Sequence, residues 1–153
     1  MTDIDPAASY RKQLSSMRYW LLGRNWHDAL RAFEFAQKRH DGMRKDGVSP
    51  EFSHQMFIAS YARTLETTLL HPQETMSAIF LHDVCEDFDV SYRDVEALCG
   101  ARTGTAVELL TKKKDGVRVP DPVYYARMAQ DPIASVAKGL DRGHNIFTMD
   151  AAG

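Results

Sequence analysis

The segment His82-Asp83-Val84-Cys85-Glu86-Asp87 places an imidazole and three carboxylates directly behind the apolar run Met76-Ser77-Ala78-Ile79-Phe80. The same interruption of an apolar face recurs elsewhere. His54 precedes Ile58 by one helical turn, and a stripe of Ile133, Val136, Ala137 and Leu140 continues at helical spacing into Asp141 and His144. Burying an isolated carboxylate is costly even after the surroundings relax, so such groups need partners, and a cation is the economical one. Two imidazoles and two carboxylates, His54, His82, Asp83 and Asp141, suit a divalent metal ion. Nitrogen and oxygen donors without thiolate favour manganese, iron, zinc or magnesium over copper(I), and four protein ligands leave positions free for water and substrate. A single histidine on an apolar face is usually a satisfied core residue. It is the joint occurrence in one chain that points to a metal.

These residues need helices to position them. Apolar residues recur mostly at helical spacing, and strand-like alternation is nearly absent, which predicts an all-α, single-domain bundle with the metal site between helices. A first amphipathic segment runs over about 8–22, and Gly23 and Asn25 break it. A second helix carries Trp26, Leu30, Phe33 and Ala36 on one stripe. Residues 40–50, with two glycines, a proline and several charges, read as a loop. A third helix is expected from Phe52 to about Leu70. Pro72 suits the first turn of the next, which ends at His82 and Asp83. Ser91 caps a short helix closed by Gly100, and another carries Val107 and Leu110. The stretch TKKKDGVRVPDP reads as a charged loop, and Asp121-Pro122 and Asp131-Pro132 open two final helices. Residues 1–25 are expected to form a helical segment packed on a domain of residues 26–153, one domain overall.

At 153 residues the chain suffices for one core that buries roughly two-thirds of its unfolded surface. Its net charge of −2 does not mark the whole molecule as a binder of nucleic acid or of a membrane surface. Two cysteines, Cys85 and Cys99, are too few for a disulfide framework and fit a reducing cytosol. No apolar run is long enough to span a membrane, and the N-terminus opens with acids where a signal peptide is basic, so a cytoplasmic protein is expected. The oligomeric state is not legible. His27 and His71 read as surface residues, and His40 as a cation at a helix C-terminus.

The segments FAQKRHDGMRKDGVSPEFSH, FLHDVCED and GLDRGHNIFTM, in this order, resemble the HD-type hydrolase domain of the RelA/SpoT family and its small single-domain alarmone hydrolases. The resemblance covers roughly residues 28–149. It implies that His54, His82, Asp83 and Asp141 bind manganese and that Glu86 and Asp87 are the catalytic acid pair. It also implies that Arg44, Lys45, Asn145 and Thr148 hold the nucleotide. The chain departs from the family pattern at several points. The loop before His54 is one residue longer, Gln55 stands where the family has proline, Met43 replaces a glutamine, Phe88 replaces a threonine, and Gly139 and Gly143 flank Leu140-Asp141-Arg142.

The resemblance implies a substrate, guanosine tetraphosphate or pentaphosphate, from which the 3′-pyrophosphate is released. A bound metal ion can lower the pKa of its water and polarise a phosphoryl oxygen. Glu86 and Asp87, about one turn beyond the ligands, can orient the water and accept its proton. Arg44 and Lys45 face the anionic substrate, where a guanidinium can also stack on a purine. Lys112, Lys113 and Lys114 read as solvated charges able to steer an anion. Two other readings stay open: a phosphohydrolase of another nucleotide, such as an adenosine alarmone or a phosphorylated dinucleotide, and a domain that binds a nucleotide or protein without turnover.

Overall fold

The computed structural model describes residues 5–152, with the side chains of 149–152 outside that description. Residues 1–4 of the expected N-terminal segment, and Gly153, therefore lie outside the described residues. Helix α1 (Pro6–Gly23) starts where the Asp5 carboxylate accepts a bond from the Ala7 amide at 3.1 Å and Pro6 fills the first turn. Asn25, at φ 58°, turns the chain into α2 (His27–Arg39). After the loop come α3 (Ser53–Thr64), a 3-10 turn at Glu66–Thr68, α4 (Pro72–Leu81) and a single turn, α5 (Val84–Asp87). Ser91 and Asp94 form a reciprocal capping box on α6 (Tyr92–Cys99), and Gly100, at φ 92°, leads into α7 (Ala101–Leu110). Helices α8 (Asp121–Met128) and α9 (Pro132–Ala152) complete the bundle. The Asp131 carboxylate caps α9 by accepting from the Ile133 and Ala134 amides at 2.9 and 3.0 Å.

Helix α4 is the axis of the molecule. Every residue from Thr75 to Leu81 is buried, and α2, α3, α7 and α9 pack around it. A helix apolar on all sides has to be central. Phe80 anchors it through Phe33, edge-on at 5.4 Å, and Phe52, stacked at 6.2 Å. From α1, Met17 and Leu21 enter the same core. The architecture is the expected all-α bundle, and no helix among the described residues is long and apolar enough to cross a membrane.

Three local expectations are corrected. Helix α3 ends at Thr64 rather than near Leu70, because the hydroxyls of Thr64 and Thr68 donate to the carbonyls of Tyr61 and Leu65 and compete with helix continuation. Part of the charged loop is a hairpin, β1 (Lys113–Lys114) paired antiparallel to β2 (Val117–Arg118). Its Asp115-Gly116 corner takes positive φ at both residues, the turn that this dipeptide favours. The hairpin's lysines are also tethered: Lys112 pairs with Asp121 at 2.7 Å, and Lys114 donates to the Val90 carbonyl at 2.8 Å. Finally, His40 does stand at the C-cap of α2, but it is buried against Phe52 and Phe88.

Candidate metal centre and adjoining cleft

Three elements bring the interrupting polar residues together. His54 lies in the first turn of α3, His82 caps the C-terminus of α4, and Asp141 sits midway along α9. All three are buried, and one donor atom from each lies within 4.8 Å of the others. His54 Nε2 is 2.7 Å from Asp141 Oδ1. His82 Nδ1 donates to the Ile79 carbonyl at 2.7 Å, which leaves Nε2 as the free lone pair. That lone pair is 3.1 Å from Asp83 Oδ2 and 3.3 Å from Asp141 Oδ1. Despite these short distances the geometry leaves Nε2 without a hydrogen-bond partner.

Such an arrangement is repulsive unless positive charge enters it. A proton can supply that charge: burial opposes ionisation of His82, but Asp83 and Asp141 outweigh burial and hold its pKa well above the ordinary range. Burial likewise opposes charge on Asp141, yet the His54 hydrogen bond and the neighbouring His82 charge keep its carboxyl far below the usual range. His54 is lowered, chiefly by burial. A divalent cation answers the same need through the His54 and His82 nitrogens and the Asp141 carboxylate, whereas Asp83, 3.1 Å from His82 Nε2, is not part of that mutual group. The donor set therefore fits a metal.

The surrounding polar residues divide into those beside the centre and those turned elsewhere. Lys138 Nζ and Asn145 Nδ2 each reach Asp141 at 3.3 Å. A cavity of about 330 Å³ over the centre is lined by His54, Asp83 and Asp141 together with Arg44, Glu51, Gln55, Lys138 and Asn145. A larger one, about 720 Å³, opens beyond it between the 40–50 loop and α9, and Arg44, Lys45, Asn145 and Thr148 all line it. Arg44 Nη1 is 3.4 Å from His144 Nδ1. The Thr148 hydroxyl is engaged with the His144 carbonyl at 3.1 Å.

Of the acid pair, Glu86 is exposed, and its Oε1 accepts from the Lys112 and Lys113 amides at 2.7 and 2.8 Å. This fastens the hairpin to α5. Asp87 lies within 4.8 Å of His40 and Glu51, and burial, then the neighbouring Asp83 charge, raise its pKa.

Several neighbours had no role assigned from the sequence, although His144 was placed on the α9 stripe. His144 stacks on His54 with ring centroids 4.7 Å apart, and Phe57 stacks on His144 at 4.2 Å. Burial, then the positive potential of His54 and Arg44, push His144 down to about 4. Its place on the α9 stripe was the available signal. Lys138, three residues before Asp141, carried a weaker one, and Glu51, at the end of an irregular loop, carried none.

No protein-family model matches the chain. Curated relatives do. It is 34% identical over 129 residues to a probable guanosine-3′,5′-bis(diphosphate) 3′-pyrophosphohydrolase of Synechocystis sp., a match covering 79% of this chain and 16% of that protein. A guanosine-3′,5′-bis(diphosphate) 3′-pyrophosphohydrolase of Aquifex aeolicus is 30% identical over 124 residues, 78% of this chain and 17% of the relative. The bifunctional (p)ppGpp synthase/hydrolase SpoT of Escherichia coli is 28% identical over 126 residues, 77% of this chain and 17% of its own. The chain belongs to the RelA/SpoT family of HD-type domains. It spans about one-sixth of the length of these relatives. As an HD-type bundle, it sets a buried His-His-Asp group able to bind a metal between α3, α4 and α9.

Proposed function

We propose that this HD-type domain is a manganese-dependent pyrophosphohydrolase that removes the 3′-pyrophosphate from guanosine tetraphosphate or pentaphosphate in the cytoplasm. The observation that carries the reading is the buried His82 Nε2, without a hydrogen-bond partner and facing Asp83 and Asp141, which line a cavity shared with Arg44. The core residues Met17 and Leu21 support treating residues 1–25 and 26–153 as one domain.

His54, His82, Asp83 and Asp141 would hold a divalent ion, which would supply Lewis acidity and lower the pKa of a water. Asp87 is the proton acceptor; its raised pKa brings it closer to the working range of a general base. Glu86 has one oxygen committed to the hairpin and offers Oε2 to orient the water. The water oxygen bonds to the phosphorus esterified at ribose O3′, the P–O3′ bond breaks, and O3′ takes a proton, giving the 5′-nucleotide and pyrophosphate. Arg44 and Lys45 neutralise substrate charge, while Asn145 and Thr148 line the opposite wall.

The test is product analysis with purified, manganese-loaded protein over a panel of guanosine and adenosine alarmones and phosphorylated dinucleotides. Release of pyrophosphate with GDP or GTP from the guanosine alarmones is expected. Turnover confined to another nucleotide overturns the substrate, and metal binding without any turnover overturns the enzymatic reading.

A further inference from the structure

Glu51 stands at the junction of the two cavities, lining both, and is fixed there by a residue that the mechanism above does not use. Its Oε1 accepts from His40 Nδ1 at 2.9 Å. His40 is buried, and its Nε2 has no partner. Because a carboxylate only accepts, Nδ1 is the donor of this pair and its N–H points at Glu51. Phe52, stacked at 6.5 Å, and Phe88, edge-on at 4.9 Å, hold the ring's orientation. On the other side Gly42 leaves room, since a Cβ there would meet Glu51 Oε2 at 3.1 Å. The Glu51 amide also donates to the Gly42 carbonyl at 2.8 Å.

The carboxylate is thus held in place yet keeps free lone pairs. Arg44 and Lys45 share its wall, but among the described residues no lysine or arginine forms an ion pair with it. An unneutralised carboxylate in a cleft for a polyanion repels phosphate and accepts from hydroxyl or N–H groups. Phosphates attached at ribose C3′ belong over the metal centre, and the nucleoside body extends past Arg44. The donor next to the 3′ ester, at the junction, is the vicinal 2′-hydroxyl. Carboxylates serve as ribose-hydroxyl acceptors in other nucleotide sites.

We infer that Glu51, positioned by His40, accepts a hydrogen bond from the ribose 2′-hydroxyl and makes the cleft selective for ribonucleotides over their 2′-deoxy counterparts; this rests on the nucleotide reading above. Glu51 is a specificity residue, and His40 a positioning residue.

The experiment is calorimetric titration of the manganese-loaded full chain with guanosine 3′,5′-bisphosphate and with its 2′-deoxy analogue, metal content being measured in parallel. The wild type binds the ribonucleotide roughly ten- to a hundredfold more tightly, as expected for a hydrogen bond to a charged acceptor. Glu51→Ala removes the difference and keeps its metal, Glu51→Gln retains part of the difference, and His40→Gln reduces it. Equal binding of the two ligands by the wild type, or undiminished discrimination in Glu51→Ala, overturns the inference. So does loss of an equivalent of manganese in Glu51→Ala, which would make the Glu51, His40 and Asp87 group a cation site. Binding of neither ligand overturns the nucleotide reading itself, a distinguishable failure.

Discussion

The C-terminal end of α4 and the 40–50 loop both contribute to the same cleft, but they are held by different physics. His82 ends a helix whose last seven residues, Thr75–Leu81, are all buried, so its position is set by core packing. Arg44 and Lys45 stand in a loop shaped by local turn chemistry: the Asp46 carboxylate accepts from the Val48 and Ser49 amides at 2.9 and 2.8 Å and from the Ser49 hydroxyl at 2.6 Å. The proposed ligand His82 is therefore tied to global stability, whereas the proposed substrate contacts Arg44 and Lys45 are tied to one small turn. Damage to the core should cost both stability and metal, and damage to the loop should cost binding alone.

The largest expected effect comes from the core side. Phe80→Ala removes the aromatic anchor two residues before His82 and should destabilise the fold by about 3–5 kcal/mol. Denaturant unfolding should show this, with weaker manganese retention in the same sample. If stability falls and metal affinity is unchanged, the link between core and centre is broken. Next, Asp87→Asn should lower turnover roughly a hundredfold while the metal stays bound, as for loss of general-base help. Loss of metal in that variant would make Asp87 a ligand.

On the loop side, Arg44→Ala should reduce kcat/KM for guanosine tetraphosphate by the equivalent of about 1.5–3 kcal/mol, the range for hydrogen bonds to charged groups, with unfolding unaltered. An unchanged specificity constant would mean that the loop is only a solvated face. The smallest effect concerns pH. The Ser49 hydroxyl bond, then the Ser49 and Val48 amides, hold Asp46 at about 2, below its ordinary 3.8. A depressed carboxyl contributes its stabilisation above the unfolded value and loses it as pH falls through the folded one. The turn should thus persist at neutral pH and loosen between 3.8 and about 2, visible as titration of the Val48 and Ser49 amide shifts.

The helices were legible because their start and stop signals are local. Asp5-Pro6 could equally have been read as a helix start, as Asp131-Pro132 was, and Ser91 and Gly100 bounded α6 as expected. The ligand candidates were legible because a carboxylate in an apolar stripe is conspicuous, and Asp141 is indeed buried where that stripe predicts. What escaped depends on contacts remote in sequence. Glu86 bonds to amides 26 and 27 residues away, and His40 is drawn inward by Glu51 across 11. No periodicity encodes either. The Asp115-Gly116 hairpin was different: its turn signal was present and was outweighed by the charge around it.

The central claim is that one cation unites His54, His82, Asp83 and Asp141. Anomalous X-ray diffraction from crystals soaked in manganese tests it most directly. One strong peak is expected, with the side chains of all four residues at metal–ligand distances, about 2.0–2.6 Å. A peak at His40, Glu51 and Asp87 instead, or none between α3, α4 and α9, would contradict it.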